Sequence, residues 1–126
     1  MNQRVFVYGA LRKGALHAWR MEKACFVGEA TVAGTLMKVD WYPGLVLNGA
    51  GDVKGEVYEV GPALLEELDI FEGIAPENER NGEYHRIKAE VTLANGDHCE
   101  CLIYEWLKGV EDYEVVANGD WLTVEH

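Results

Sequence analysis

Short apolar runs, most of them bounded by glycine, set the pattern of this chain. Their alternation predicts strands near Arg4–Tyr8, Cys25–Val39 with a break around Gly34, Leu45–Leu47, Val53–Val60, Tyr84–Leu93 and His98–Trp106. Helical signals are fewer. Leu16–Lys23 reads as one short helix. A better-marked helix follows Gly61: Pro62 suits its first position, where no amide is needed, Leu64, Leu65 and Leu68 share one stripe, and Gly73 supplies the stop. The fold class that follows is α+β, and with no Pro/Gly/Ser linker and no internal repeat, residues 1–126 read as one domain.

Asn95-Gly96 lies between two alternating runs and predicts a hairpin, because both residues tolerate positive φ. A two-residue loop would set Val91 opposite Glu100. A three-residue loop over Asn95–Asp97 aligns Leu93, Val91 and Ala89 with Cys99, Cys101 and Ile103 and buries a consistent face, so an odd loop or a bulge is expected. The Cys99-x-Cys101 pair then points inward as small apolar side chains. His98 beside it lacks zinc spacing and a second Cys/His pair, and core packing is the preferred reading over a metal site.

Composition narrows the function classes. The 126 residues hold 11 Lys and Arg against 22 Asp and Glu, a formal charge of -11 that repels nucleic acid and anionic membranes. Three cysteines form no disulfide framework and fit a reducing, cytoplasmic setting. The longest stretch free of charge, Trp41–Gly51, is too short to span a bilayer. The acid-free N-terminus resembles a transit peptide only superficially, since its apolar residues read as a strand and serine is absent. Absence of serine from the whole chain also excludes a Ser-His-Asp arrangement. Cys25 sits in an apolar, strand-like run with no adjacent base, and the four histidines show no metal-binding spacing.

Two segments retain chemical interest. Gly9–Gly14 follows a strand like a phosphate-binding loop, yet the lysine and hydroxyl that should follow its second glycine are missing. It is either a turn or a loop whose amides face a cavity and receive an anion or developing oxyanion. Glu72 falls four residues after Leu68 and seven after Leu65, which places a carboxylate in the apolar stripe at a helix C-terminus. Desolvation and the negative end of the helix dipole both favour its protonated form, a direction that suits proton transfer near neutral pH. Against this stands a helix that ends early, with Glu72 turned to water or paired with Arg86.

Val5-Phe6-Val7-Tyr8-Gly9-Ala10-Leu11-Arg12-Lys13-Gly14, Tyr42-Pro43-Gly44, Gly55-Glu56-Val57-Tyr58-Glu59-Val60, Leu68-Asp69-x-x-Glu72-Gly73 and Tyr84-x-Arg86 occur in this order. Together they resemble the gamma-glutamylcyclotransferase-like family, which includes the gamma-glutamylamine cyclotransferases and AIG2-like proteins. The resemblance covers residues 5–106, and Gly119-Asp120-Trp121-Leu122 is similar to the ending of short bacterial members.

This resemblance implies a small mixed β-barrel with a few flanking helices and a cavity at one end. It implies an enzyme of acyltransferase or lyase type that cyclises a γ-glutamyl group to 5-oxoproline and frees an amine or amino acid, without metal or organic cofactor. Glu72 would be the catalytic acid/base. Tyr8, Gly9, Ala10 and Leu11 would supply substrate contacts, with Tyr84 and Arg86 fixing the site and Arg12 as a second anion contact. Many members carry Ser or Thr where this chain has Ala10, which removes a hydroxyl and bears on substrate preference. The acidic run Ile74–Glu83 is expected to overhang the cavity. The alternative is a non-catalytic module that binds a small anionic metabolite or a partner peptide in the same cavity; a monomer is expected in either case.

Overall fold

The structure, a computed structural model, describes residues 2–73 and 83–124. Eight strands are present: β1 (Gln3–Val7), β2 (Cys25–Ala33), β3 (Thr35–Lys38), β4 (Pro43–Val46), β5 (Asp52–Val60), β6 (Tyr84–Leu93), β7 (His98–Trp106) and β8 (Glu114–Val115). A single α-helix, α1 (Pro62–Glu72), and two 3-10 turns, Ala18–Met21 and Trp121–Thr123, complete the described elements. Five strands close into a barrel in the order β1-β5-β2-β6-β7, and β4-β3-β8 form a separate small sheet. Barrel neighbours are antiparallel except where β1 meets β7, which run parallel with Val5 opposite Leu102. The mixed barrel that the resemblance implies is therefore present.

The helix expected at Leu16–Lys23 is a single 3-10 turn. Arg12, Ala15, Ala18, Arg20, Glu22 and Ala24 each donate their amides three residues back, to Gly9, Arg12, Ala15, His17, Trp19 and Met21. These tight turns leave no i→i−4 ladder, and His17 before the turn gives no side-chain cap. The hairpin does have a three-residue loop, but it covers Ala94–Gly96 instead of Asn95–Asp97. Leu93 N–H bonds Asp97 O at 2.8 Å, and Gly96 takes φ 93°. Val91 consequently faces Cys99, and Ala89 faces Cys101: the expected face is buried, shifted by one pair. Strand β8 gave no signal, being two exposed residues.

Alternation along each strand divides the core in two. Phe6, Val32, Val57, Val91, Cys101 and Ile103 belong to a cluster drawn from all five barrel strands, which identifies it as the barrel interior. Val5, Val7, Leu102 and Tyr104, from the opposite parity, pack outside it against Leu64, Leu65 and Leu68 of α1. Burying each of these leucines stabilises the docked helix by about 2 kcal/mol. Gly61 precedes the helix, Pro62 opens it, and Gly73 ends it at φ 79°, a left-handed conformation that glycine adopts at no steric cost. The Gly73 amide points back to the carbonyls of Asp69 and Ile70, so the helix retains Glu72 as its last residue.

Cys99 and Cys101 are both buried, with sulfurs 3.7 Å apart, and Arg4 Nη1 donates to Cys99 Sγ at 3.0 Å. Among the described residues no three His, Cys, Asp or Glu side chains come together as metal ligands. Nor is any described helix long and apolar enough to cross a membrane.

Candidate active site

Parallel pairing of β1 and β7 sends the C-terminal ends of both strands to one end of the barrel, and antiparallel β6 starts there. Tyr8, Tyr104 and Tyr84 therefore converge. Helix α1 delivers Phe71 and Glu72 to the same place, and the turn into β4 brings Trp41, Tyr42 and Pro43. These residues, with Phe6, Val7, Gly9, Ala10 and Leu11, line a cavity of about 470 Å³, its open mouth included. Glu72 is the only charged side chain among the described lining residues.

Each tyrosine is fixed through its hydroxyl. Tyr8 donates to Tyr104 O at 2.6 Å, Tyr84 to Pro43 O at 2.6 Å, and Tyr104 to Asp69 Oδ1 at 2.7 Å. Burial pushes all three phenols upward, and the Glu72 carboxylate adds to the shift of each. For Tyr8 a hydrogen bond from the Leu45 backbone partly opposes this, for Tyr84 the neighbouring Tyr8 contributes ahead of Glu72, and for Tyr104 the hydrogen bond to Asp69 does. The three rings thus stay neutral, and their protons are committed to protein acceptors.

The loop after β1 turns its carbonyls into the chain, Gly9 O accepting from Arg12 N–H at 2.9 Å and Ala10 O from His17 N–H at 2.8 Å. Gly9 permits the close approach of Pro43, since a Cβ there would lie 2.4 Å from Pro43 Cγ. Tyr42, beside Pro43, donates to Glu83 Oε2 at 2.9 Å.

Both arginines expected at the substrate are held elsewhere. Arg12 is buried, its Nε bonded to Glu56 Oε2 at 2.6 Å and its Nη1 to Asp120 Oδ1 at 2.8 Å, while Glu56 Oε1 also accepts the Lys13 amide at 2.9 Å. Arg12 braces the loop from behind and does not line the cavity. Arg86 pairs with Asp69, the same carboxylate that accepts from Tyr104, and it too lies outside the lining. Glu56→Ala would remove the acceptor for both the guanidinium and the Lys13 amide. The expected cost is about 3 kcal/mol, because a buried arginine is left with Asp120 alone. An unfolding free energy from urea titration that stays within about 1 kcal/mol of wild type would show the pair to be unimportant for stability.

Glu72 is half-buried and lines the cavity from the end of the helix. Tyr8, Gly9, Ala10, Leu11 and Tyr84 lie around the same space. Of the acidic run Ile74–Glu83 expected to overhang the cavity, residues 74–82 lie outside the described residues and Glu83 is the acceptor for Tyr42. Sequence reasoning passed over Trp41, Phe71, Tyr104 and Asp69. Asp69 was visible in the Leu68-Asp69-x-x-Glu72 motif, but its two partners come from β6 and β7 and emerge only with their register, Arg86 opposite Tyr104.

Comparisons with known proteins identify the family of this chain. The profile of the family described as gamma-glutamyl cyclotransferase, AIG2-like, matches residues 5–123. The chain is 33% identical over 120 residues to gamma-glutamylcyclotransferase family protein ytfP of Citrobacter rodentium, covering 94% of this chain and 95% of that protein. It is 31% identical over 119 residues to the gamma-L-glutamyl-butirosin B gamma-glutamyl cyclotransferase of Niallia circulans, covering 93% of this chain and 74% of that one. The solution structure of ytfP from Escherichia coli superimposes with a TM-score of 0.67 at 33% identity, covering 95% of this chain and 96% of that one. With the barrel, the cavity and these matches in hand, the chain belongs to the gamma-glutamyl cyclotransferase, AIG2-like family.

Proposed function

We propose that this protein releases 5-oxoproline and a free amine from a γ-glutamyl amide, with Glu72 as the acid/base. The observation that carries the reading is one half-buried carboxylate, Glu72, in a cavity otherwise lined by aromatic and small apolar residues. Family membership and the activity for which the Niallia circulans relative is named support it.

No side-chain nucleophile is required, since the substrate's α-amine attacks its own γ-carbonyl. Closing a five-membered ring is fast once the glutamyl chain is held bent. Between ammonium and lactam N–H the α-nitrogen gives up two protons: Glu72 passes one to the departing nitrogen, which leaves as a neutral amine, and the other goes to solvent. Negative charge on the carbonyl oxygen falls to main-chain amides of the Gly9–Leu11 loop, aimed there before reaction. Main-chain donors of the same loop also take the substrate carboxylate.

The test is mass-spectrometric detection of 5-oxoproline after incubating the purified protein with γ-glutamyl amines, γ-glutamyl dipeptides and glutathione. Release from at least one of them is expected. A folded protein that is silent across the panel sinks the enzymatic reading in favour of a binding module.

A further inference from the structure

Rings from three separate segments meet at the edge of the cavity: Trp41 and Phe71 line it, and His17 packs against both. His17 comes from the loop after β1, Trp41 from the turn before β4, and Phe71 from the last turn of α1. The His17 ring lies 5.1 Å from Trp41 and 5.0 Å from Phe71, and Trp41 and Phe71 are 6.3 Å apart, so the three form one touching cluster. From Trp41 the aromatic wall continues inward to Tyr42 at 5.0 Å and to Tyr84 at 6.4 Å from Tyr42. Most of the cavity lining is buried, but Trp41 is 38% exposed and so marks the route between the interior and solvent.

Charge at this rim is already allocated. The Arg20 guanidinium sits 4.3 Å from the centre of the Phe71 ring and 4.4 Å from that of Trp19, and its Nε donates to His17 Nδ1 at 3.2 Å. Burial, and then the Arg20 charge, push His17 below its usual range, so it remains a neutral ring at neutral pH. A second cation arriving at Phe71 would meet Arg20. A flat apolar group would meet only ring surface.

We propose that Trp41, Phe71 and His17 form a subsite for the amine portion of the γ-glutamyl amide, and that they select an amine bearing a neutral aromatic ring over a small or a cationic one. This rests on the cyclotransferase reading. With the glutamyl head at Glu72, the bond to be broken lies inside the cavity and its amine side leads outward past Trp41. Removing a ring from the leaving group forfeits that contact, and a terminal ammonium there faces Arg20.

The experiment compares kcat/KM for 5-oxoproline release from three amides of γ-glutamate: phenethylamide, ethylamide and 4-aminobutylamide. Wild type is expected to prefer the phenethylamide by about 10-fold over each of the others. In Trp41→Ala that preference shrinks to about 2-fold, while Trp41→Phe retains most of it. Equal rates on all three amides, or a Trp41→Ala loss that is the same for all three, overturns the subsite. Calorimetric binding of phenethylamide and ethylamide is read alongside. Equal affinities overturn the subsite whatever the turnover. A retained preference in affinity without any 5-oxoproline supports the subsite and overturns the cyclotransferase reading instead.

Discussion

Glu72→Gln is expected to lower 5-oxoproline release by about 1,000-fold at saturating substrate while leaving the fold intact. The exchange is isosteric and removes the carboxylate's charge together with its ability to take and return a proton. Packing of α1 does not depend on it, because Leu64, Leu65 and Leu68 carry the buried face and Gly73 carries the cap. Binding should change little, since the amide still fills the same space. Single-turnover kinetics with a thermal melt of each protein would check this. Turnover within about 10-fold of wild type, from a variant that melts normally, would remove Glu72 from the chemistry.

Raising the pH should unfold the protein steeply above about pH 10, the value at which an exposed tyrosine ionises. Tyr8, Tyr84 and Tyr104 have folded pKa values above that reference, so the fold favours their neutral forms. Their stabilising contribution is fully present below pH 10. It declines as pH rises toward the folded values, because the unfolded chain releases these protons first. Three such groups reduce stability by about 4 kcal/mol per pH unit in that window. Cys101, pushed up to about 12 by burial and then by Cys99, acts with the same sign. Urea unfolding at several alkaline pH values, with tyrosinate absorbance followed at each, would test it. Cooperative appearance of tyrosinate together with loss of structure is expected. Smooth ionisation of all six tyrosines near pH 10 in a protein that stays folded would contradict the burial of these three.

The barrel strands and α1 were legible because each carries a local signature: glycine-bounded alternation for the strands, and Gly61-Pro62 with Gly73 for the helix. Strand parity around Asn95-Gly96 could be read for the same reason. The exact pair could not, since the positive-φ glycine closes a loop over Ala94–Gly96 and the alternation itself has no marker finer than period two. Glu72 stood out because a carboxylate interrupts an apolar stripe. Arg12 and Arg86 misled because a charged side chain in a motif does not state its partner. Glu56 and Asp120 reach Arg12 from 44 and 108 residues away in sequence, and only the closed barrel brings them there. The aromatic rim was passed over for a related reason. Trp41 and Phe71 differ from core aromatics only in where the fold leaves them exposed.

Parallel closure of β1 against β7 also fixes when the site can exist. Tyr8 and the carbonyl it bonds are 96 residues apart, and the cavity wall is drawn from both. During synthesis the loop that follows Tyr8 is made well before its β7 neighbours. Until those neighbours arrive, β1 is a sheet edge that another strand could pair with. Completing the barrel and assembling the site are therefore one event: this chain has no partly built intermediate that holds a working cavity, and no stretch of it that ends before β7 can hold one.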